Sequence, residues 1–129
     1  MKELTADVRT LFDGVNFATV TSLNADGSPQ ASVVWAKTDG DDIVFSTVRG
    51  RRKDLNFARD PRTAIVVVDH VNPYRYAEVR GKVTVTADPT GALIDELSRK
   101  YTGKSWVEVH AGAERLIVRV IPERVYLRG

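Results

Sequence analysis

The sequence predicts a small, mainly β protein: an antiparallel barrel carrying three helices. Three observations lead there. About seven short runs rich in valine, isoleucine, threonine and aromatic residues are separated by turn-forming clusters, and most connections have hairpin length. Three other stretches change to helical periodicity. No Gly-x-Gly-x-x-Gly follows any strand, which argues against a doubly wound dinucleotide fold. At 129 residues, 43% hydrophobic and 28% charged, the chain reads as one folded domain spanning 1–129.

The elements follow in order. Leu4, Val8, Leu11 and Phe12 fall on one helical face, and Gly14 is placed to end that helix. Phe17 to Leu23 and Gln30 to Lys37 read as two strands joined by the turn Asn24-Ala-Asp-Gly27, with Pro29 at a strand start or an exposed edge. A turn from Thr38 to Asp41 leads into the strand Ile43 to Thr47. Gly50 then opens a short helix that Asp60-Pro61 closes. Thr63 to Asp69 is nearly all β-branched, the composition of a strand buried on both faces. Ala77 to Thr86 is a longer strand in which Gly81 marks a bulge or bend. Thr90 to Tyr101 reads as a helix, and Thr102 to Glu114 as an irregular loop with Trp106 its only large anchor, expected to be mobile until a ligand orders it. Leu116 to Ile121 and Val125 to Leu127 are final strands on either side of Pro122-Glu123.

Chemistry concentrates at the helix after Gly50. Arg51, Arg52 and Lys53 lie in its first turn, where a cation next to the positive end of the helix dipole costs a few tenths to about 1 kcal/mol unless an anion is near. With the free N–H groups of that turn and the hydroxyls of Ser46 and Thr47, they form a seat for an anion such as phosphate. A solvated basic turn is the plainer alternative.

Several function classes are excluded or disfavoured. The absence of cysteine removes disulfides, thiol nucleophiles and cysteine-ligated metals, and His70 and His110 lack ligand-spaced partners, so no metal site is expected. Asp39, Asp41 and Asp42 have the composition of a solvated turn, and no serine has an evident histidine base. No run approaches membrane-spanning length, and the start lacks a signal-like apolar segment, so a cytoplasmic location is expected. A net charge of +2 does not demand a nucleic-acid partner. An enzyme with this inventory leaves the hard chemistry to a cofactor.

The order of motifs resembles a known family. The Asn24-Ala-Asp-Gly27-Ser-Pro29 hairpin, Ser46-Thr47 with Arg51-Arg52-Lys53, Asp60-Pro61-Arg62, Asn72-Pro-Tyr-Arg-Tyr76 with Glu78-Val-Arg-Gly81, and Pro122-Glu-Arg-Val125 are similar to the flavin and deazaflavin split β-barrels, the pyridoxamine 5′-phosphate oxidase-like fold. Within it the chain most resembles the coenzyme F420-dependent oxidoreductases of actinobacterial type. The resemblance implies a Greek-key split barrel that forms a homodimer with the cofactor at the subunit interface. It implies that Ser46, Thr47, Arg51, Arg52 and Lys53 hold the cofactor phosphate and that Pro29, Gln30, Ala31, Ser32, Val33 and Val34 line its ring. The implied reaction is hydride transfer from reduced F420 to an unsaturated, electron-poor small molecule, with Tyr74, Tyr76 or Tyr126 as candidate proton donors. Trp35, Tyr74, Tyr76 and Trp106 are residue types enriched at interfaces. An FMN-binding protein of the same fold, and a non-catalytic barrel that binds nucleic acid or another ligand, are the alternatives.

Overall fold

The structure is a computed structural model that describes residues 2–129. Among them are seven strands and three helices, and all the strands join one antiparallel sheet. Helix α1 spans Ala6–Asp13; Thr5 caps it by accepting the Val8 N–H. Its apolar face, Val8, Leu11 and Phe12, is buried to within 2% exposure and packs against the sheet.

Strand β1 (Ala18–Leu23) pairs with β2 (Pro29–Val34) through the predicted hairpin, and Pro29 is the first residue of an edge strand, where its missing N–H costs no ladder bond. The single strand predicted from Gln30 to Lys37 is two strands instead. After Trp35 the chain enters β3 (Ala36–Asp39), which pairs with β4 (Asp42–Val48) at the opposite edge of the sheet. The order is β2-β1-β5-β6-β7-β4-β3, where β5 is Arg62–Val68, β6 is Tyr76–Ala87 and β7 is Arg115–Arg128. Two outermost strands joined by one residue force the sheet to curl back on itself, which makes the barrel. Val20, Ile43, Phe45, Ile65, Val79 and Val118 fill its interior, each at most 1% exposed.

Two further expectations are corrected. β5 alternates, with Thr63, Ile65 and Val67 buried and Val68 exposed, so only one of its faces is fully in the core. The last two strands are one: β7 continues through Pro122 because the ladder with β6 shifts register at Arg80/Gly81, leaving Glu123 as the extra residue of a bulge.

Helix α2 (Arg52–Arg59) carries the chain from β4 to β5 and is bolted to the first hairpin by Asn56. This fully buried amide donates to the Ser22 hydroxyl at 2.9 Å and to the Asn24 side chain at 3.1 Å. Helix α3 (Ala92–Thr102) starts after Gly91, which has no side chain to cap it, so the buried Asp88 carboxylate accepts the N–H groups of Ala92 and Leu93. Leu93 and Leu97 seat it on Val44 of β4, outside the barrel.

The bulge sets a strict limit at Gly81. A β-carbon there would lie 2.0 Å from the Ile121 carbonyl oxygen. Gly81→Ala is expected to lower stability by about 1–3 kcal/mol or more in urea unfolding; unchanged stability would mean that β6 and β7 do not approach this closely.

Candidate functional site

Strand alternation divides the two predicted hydroxyls. Thr47 points with Ile43 and Phe45 into the barrel and is fully buried, whereas Ser46 faces outward. Neither hydroxyl has a hydrogen-bond partner, nor has the buried hydroxyl of Ser32 on β2. Buried polar atoms are nearly always bonded, so a partnerless one that also borders a cavity is a candidate contact for a ligand. Of the three, Ser46 lines the cavity described next.

That cavity has a volume of about 240 Å³ and lies where the ends of β2 and β4, the start of α2 and the side of α3 converge. Gly50, with φ +90°, turns the chain from β4 toward α2, and Arg51 is the helix N-cap with no side-chain capping bond. Arg51 and Lys53 line the cavity; Arg52, between them, is exposed and does not. Among the described residues none of these three cations belongs to an ion pair. Burial first, and then the nearby Arg51 charge, push the Lys53 ammonium below the ordinary lysine range. The first turn does carry one carboxylate: Asp54 accepts the Gly50 N–H at 2.8 Å, which steadies the turn without pairing the cations.

Apart from Arg115, the rest of the wall is aromatic and apolar. Phe17, Val33, Val34, Trp35 and Trp106 border the cavity. Of the β2 residues expected to line a ring, Val33 and Val34 border this cavity; Pro29 and Ala31 are exposed, and Gln30 accepts from Ser22. Trp106 is held more firmly than its irregular loop suggests. Its N–H donates to Asp95, its indole N–H to Glu108, and the Arg115 guanidinium stacks 4.8 Å from its ring centre. Arg115 also bonds Glu108 at 2.7 Å. Sequence reasoning missed Arg115, a strand-end arginine whose side chain is only 8% exposed.

The candidate proton donors lie elsewhere. Tyr76 and Tyr126 border a groove on β6 and β7 with Glu78, Arg80 and Arg124, and Tyr74 is 81% exposed. A larger cavity of about 690 Å³ lies beyond Trp106, but its arginines are neutralised, Arg49 by Glu114 and Arg115 by Glu108. Arg115 borders both cavities, but the smaller one also has Arg51 and Lys53, which have no internal partner, and is therefore the better anion site. Its cations, free hydroxyl and flat aromatic walls fit a planar cofactor that carries phosphate.

Comparison with known proteins identifies the family of this fold. A family model described as pyridoxamine 5′-phosphate oxidase matches residues 4–129. The chain belongs to the pyridoxamine 5′-phosphate oxidase family. A solved structure named F420 reductase shares the fold of this family member with a TM-score of 0.83 and 33% identity, covering 92% of this chain and 94% of that one. A conserved hypothetical protein from Mycobacterium tuberculosis superposes with a TM-score of 0.78 at 18% identity, over 95% of this chain and 82% of that one. General Stress Protein 26 from Bacillus anthracis gives 0.73 at 14%, over 95% and 91%; at such identities these two speak for the fold alone. A search of curated proteins returns no match. The split barrel expected from the sequence is thus the fold of the family. No group of three or more metal-ligating side chains occurs among the described residues, and no helix there is long and apolar enough to cross a membrane.

The Trp106 latch has a defined pH response. Bonds from Arg115 and Trp106 bring Glu108 down from 4.5 to about 2. A depressed carboxylate stabilises the folded state above its ordinary range and loses that contribution as pH falls. The stability difference between wild type and Glu108→Gln, measured by urea unfolding, is expected to be constant above pH 4.5 and to close as pH falls toward about 2. A difference that grows on acidification would contradict the latch.

Proposed function

We propose that the chain is a cytoplasmic, homodimeric, F420-dependent oxidoreductase. The observation that carries this reading is the convergence of unpaired Arg51 and Lys53 with the partnerless Ser46 hydroxyl in one aromatic-walled cavity. Similarity to the F420 reductase structure over almost the whole chain supports it.

In this reading Arg51, Lys53 and Ser46 hold the phosphate, and Phe17, Val33, Val34 and Trp35 flank the ring. When bound, reduced F420 supplies a hydride for an unsaturated, electron-poor acceptor. The protein's part is to orient the ring, to exclude water with Trp35 and Trp106, and to keep cations at the phosphate. Thr47 keeps its hydroxyl in the barrel interior, and Arg52 adds charge from outside the cavity. A cavity of 240 Å³ is below the 300–1,000 Å³ that ordinarily encloses a ligand of this size, so a second copy is needed to complete it. The exposed Phe17 and Val33 beside the cavity are natural contacts for that copy. Tyr74, Tyr76 and Tyr126 reach the acceptor only if the partner brings them.

Binding of F420 and FMN, followed by absorbance and fluorescence, tests the assignment. Wild type is expected to retain F420 in preference to FMN, and the reverse preference would select an FMN protein of the same fold. Each lost charge-assisted hydrogen bond costs about 1.5–3 kcal/mol, so Arg51→Glu/Lys53→Glu should weaken F420 at least ~100-fold while Arg52→Glu has a much smaller effect. If all the variants bind F420 like wild type, the cavity is not the phosphate site. Affinity for single-stranded nucleic acid that falls steeply with salt, without F420 binding, would replace the enzyme reading with a nucleic-acid one. Light scattering is expected to give a dimer; a monomer that holds F420 tightly would exclude a shared site.

A further inference from the structure

The aromatic wall of the cavity is supported by side chains that do not border it. Trp35 alone joins β2 to β3, and the residues around it are gripped by the last turn of α3. Ala36 begins β3 at the edge of the sheet, where no further strand satisfies its outward backbone groups. The Tyr101 hydroxyl accepts the Ala36 N–H at 3.2 Å and donates to the Asn16 carbonyl at 2.7 Å. Lys100 Nζ donates to the carbonyls of Ala36 and Phe12, both at 2.6 Å. One helical turn thereby ties the end of α1, the loop before β1 and the start of β3 together.

The same turn sets the rings. Tyr101 lies parallel to Trp35, with centroids 5.4 Å apart and planes 9° apart, and Phe17 stacks on Tyr101 at 5.7 Å. Trp106 meets Trp35 at 6.1 Å and 89°. Lys100 Nζ is 4.6 Å from the Tyr101 ring centre. Burial lowers Lys100 to about 8, with Asp13 and Glu96 opposing the shift and Lys37 adding to it. The amine thus gives up hydration to make these bonds, which marks a fixed contact rather than a solvated surface lysine.

We propose that Tyr101 and Lys100 are positioning residues, a clip at the barrel seam that fixes the Trp35 indole as a wall of the cavity and so governs ligand affinity from outside it. The effect on affinity rests on the reading that the cavity binds F420; the effect on Trp35 does not.

The test therefore has two readouts. In a Trp106→Phe background Trp35 is the sole tryptophan, and its near-UV circular dichroism and fluorescence anisotropy report its order. F420 affinity is measured separately with Trp106 intact. Tyr101→Phe keeps the ring but removes the hydroxyl; it is expected to reduce the Trp35 dichroism and anisotropy and to weaken F420 about fivefold. Lys100→Met should act alike, and Lys100→Arg, which still donates to both carbonyls, should restore both readouts. Gly81→Ala, which crowds Ile121 and Glu123 at the β6–β7 bulge and touches neither Tyr101 nor Trp35, controls for general destabilisation and should move neither. Unchanged Trp35 signals in Tyr101→Phe, or equal changes in Gly81→Ala, would overturn the clip. If wild type does not bind F420 at all, the cofactor assignment falls, and the Trp35 signals still decide whether the clip exists.

Discussion

A one-residue link between the two outermost strands of the sheet is the constraint on which the structure depends. β2 ends at Val34 and β3 begins at Ala36, so the sheet must curl until those edges meet at Trp35. Closure encloses the apolar residues of alternate strand positions and leaves α1 to cover part of the core. It also creates a seam, and a seam exposes backbone groups that a continuous ladder would have satisfied. The last turn of α3 satisfies them at Ala36, and the candidate cavity opens beside the same place. Site and closure are therefore one piece of architecture.

The cavity carries a cost that the larger hollow beyond Trp106 does not. Arg49 and Arg115 there have Glu114 and Glu108 as partners, whereas Arg51 and Lys53 repel each other and Lys53 is partly desolvated. A cluster of this kind, with an unbonded hydroxyl at its edge, is stabilised when an anion arrives. Unpaired cations and an unbonded buried hydroxyl coincide in this one cleft, and such a coincidence is a common mark of a binding site.

Much of this was legible in the sequence. Strand and helix periods gave nearly every element because their apolar residues do face the core, and Gly81 did mark the bulge. The break at Trp35 was not legible, because Gln30 to Lys37 has unbroken strand composition and only closure of the sheet divides it. The buried appearance of β5 misled for a related reason: β-branched residues suit the partly covered outer face as well as the core. At the site, the cations after Gly50 could be read from the helix start. Which of them face the cavity depends on the angle at which Asn56 fixes α2, and that angle comes from contacts 32 and 34 residues distant in the chain. The roles of Tyr101, Lys100 and Arg115 were invisible for the same reason, since each is defined by what lies across the fold.

Amide hydrogen exchange with saturating F420 tests the placement of the ligand most directly. Slowed exchange is expected at the amides from Ser46 to Asp54 and from Val33 to Ala36, around the cavity of Arg51 and Lys53. Protection confined to the segments from Asp88 to Asp95 and from Ala113 to Leu116, which border the larger cavity, would contradict it.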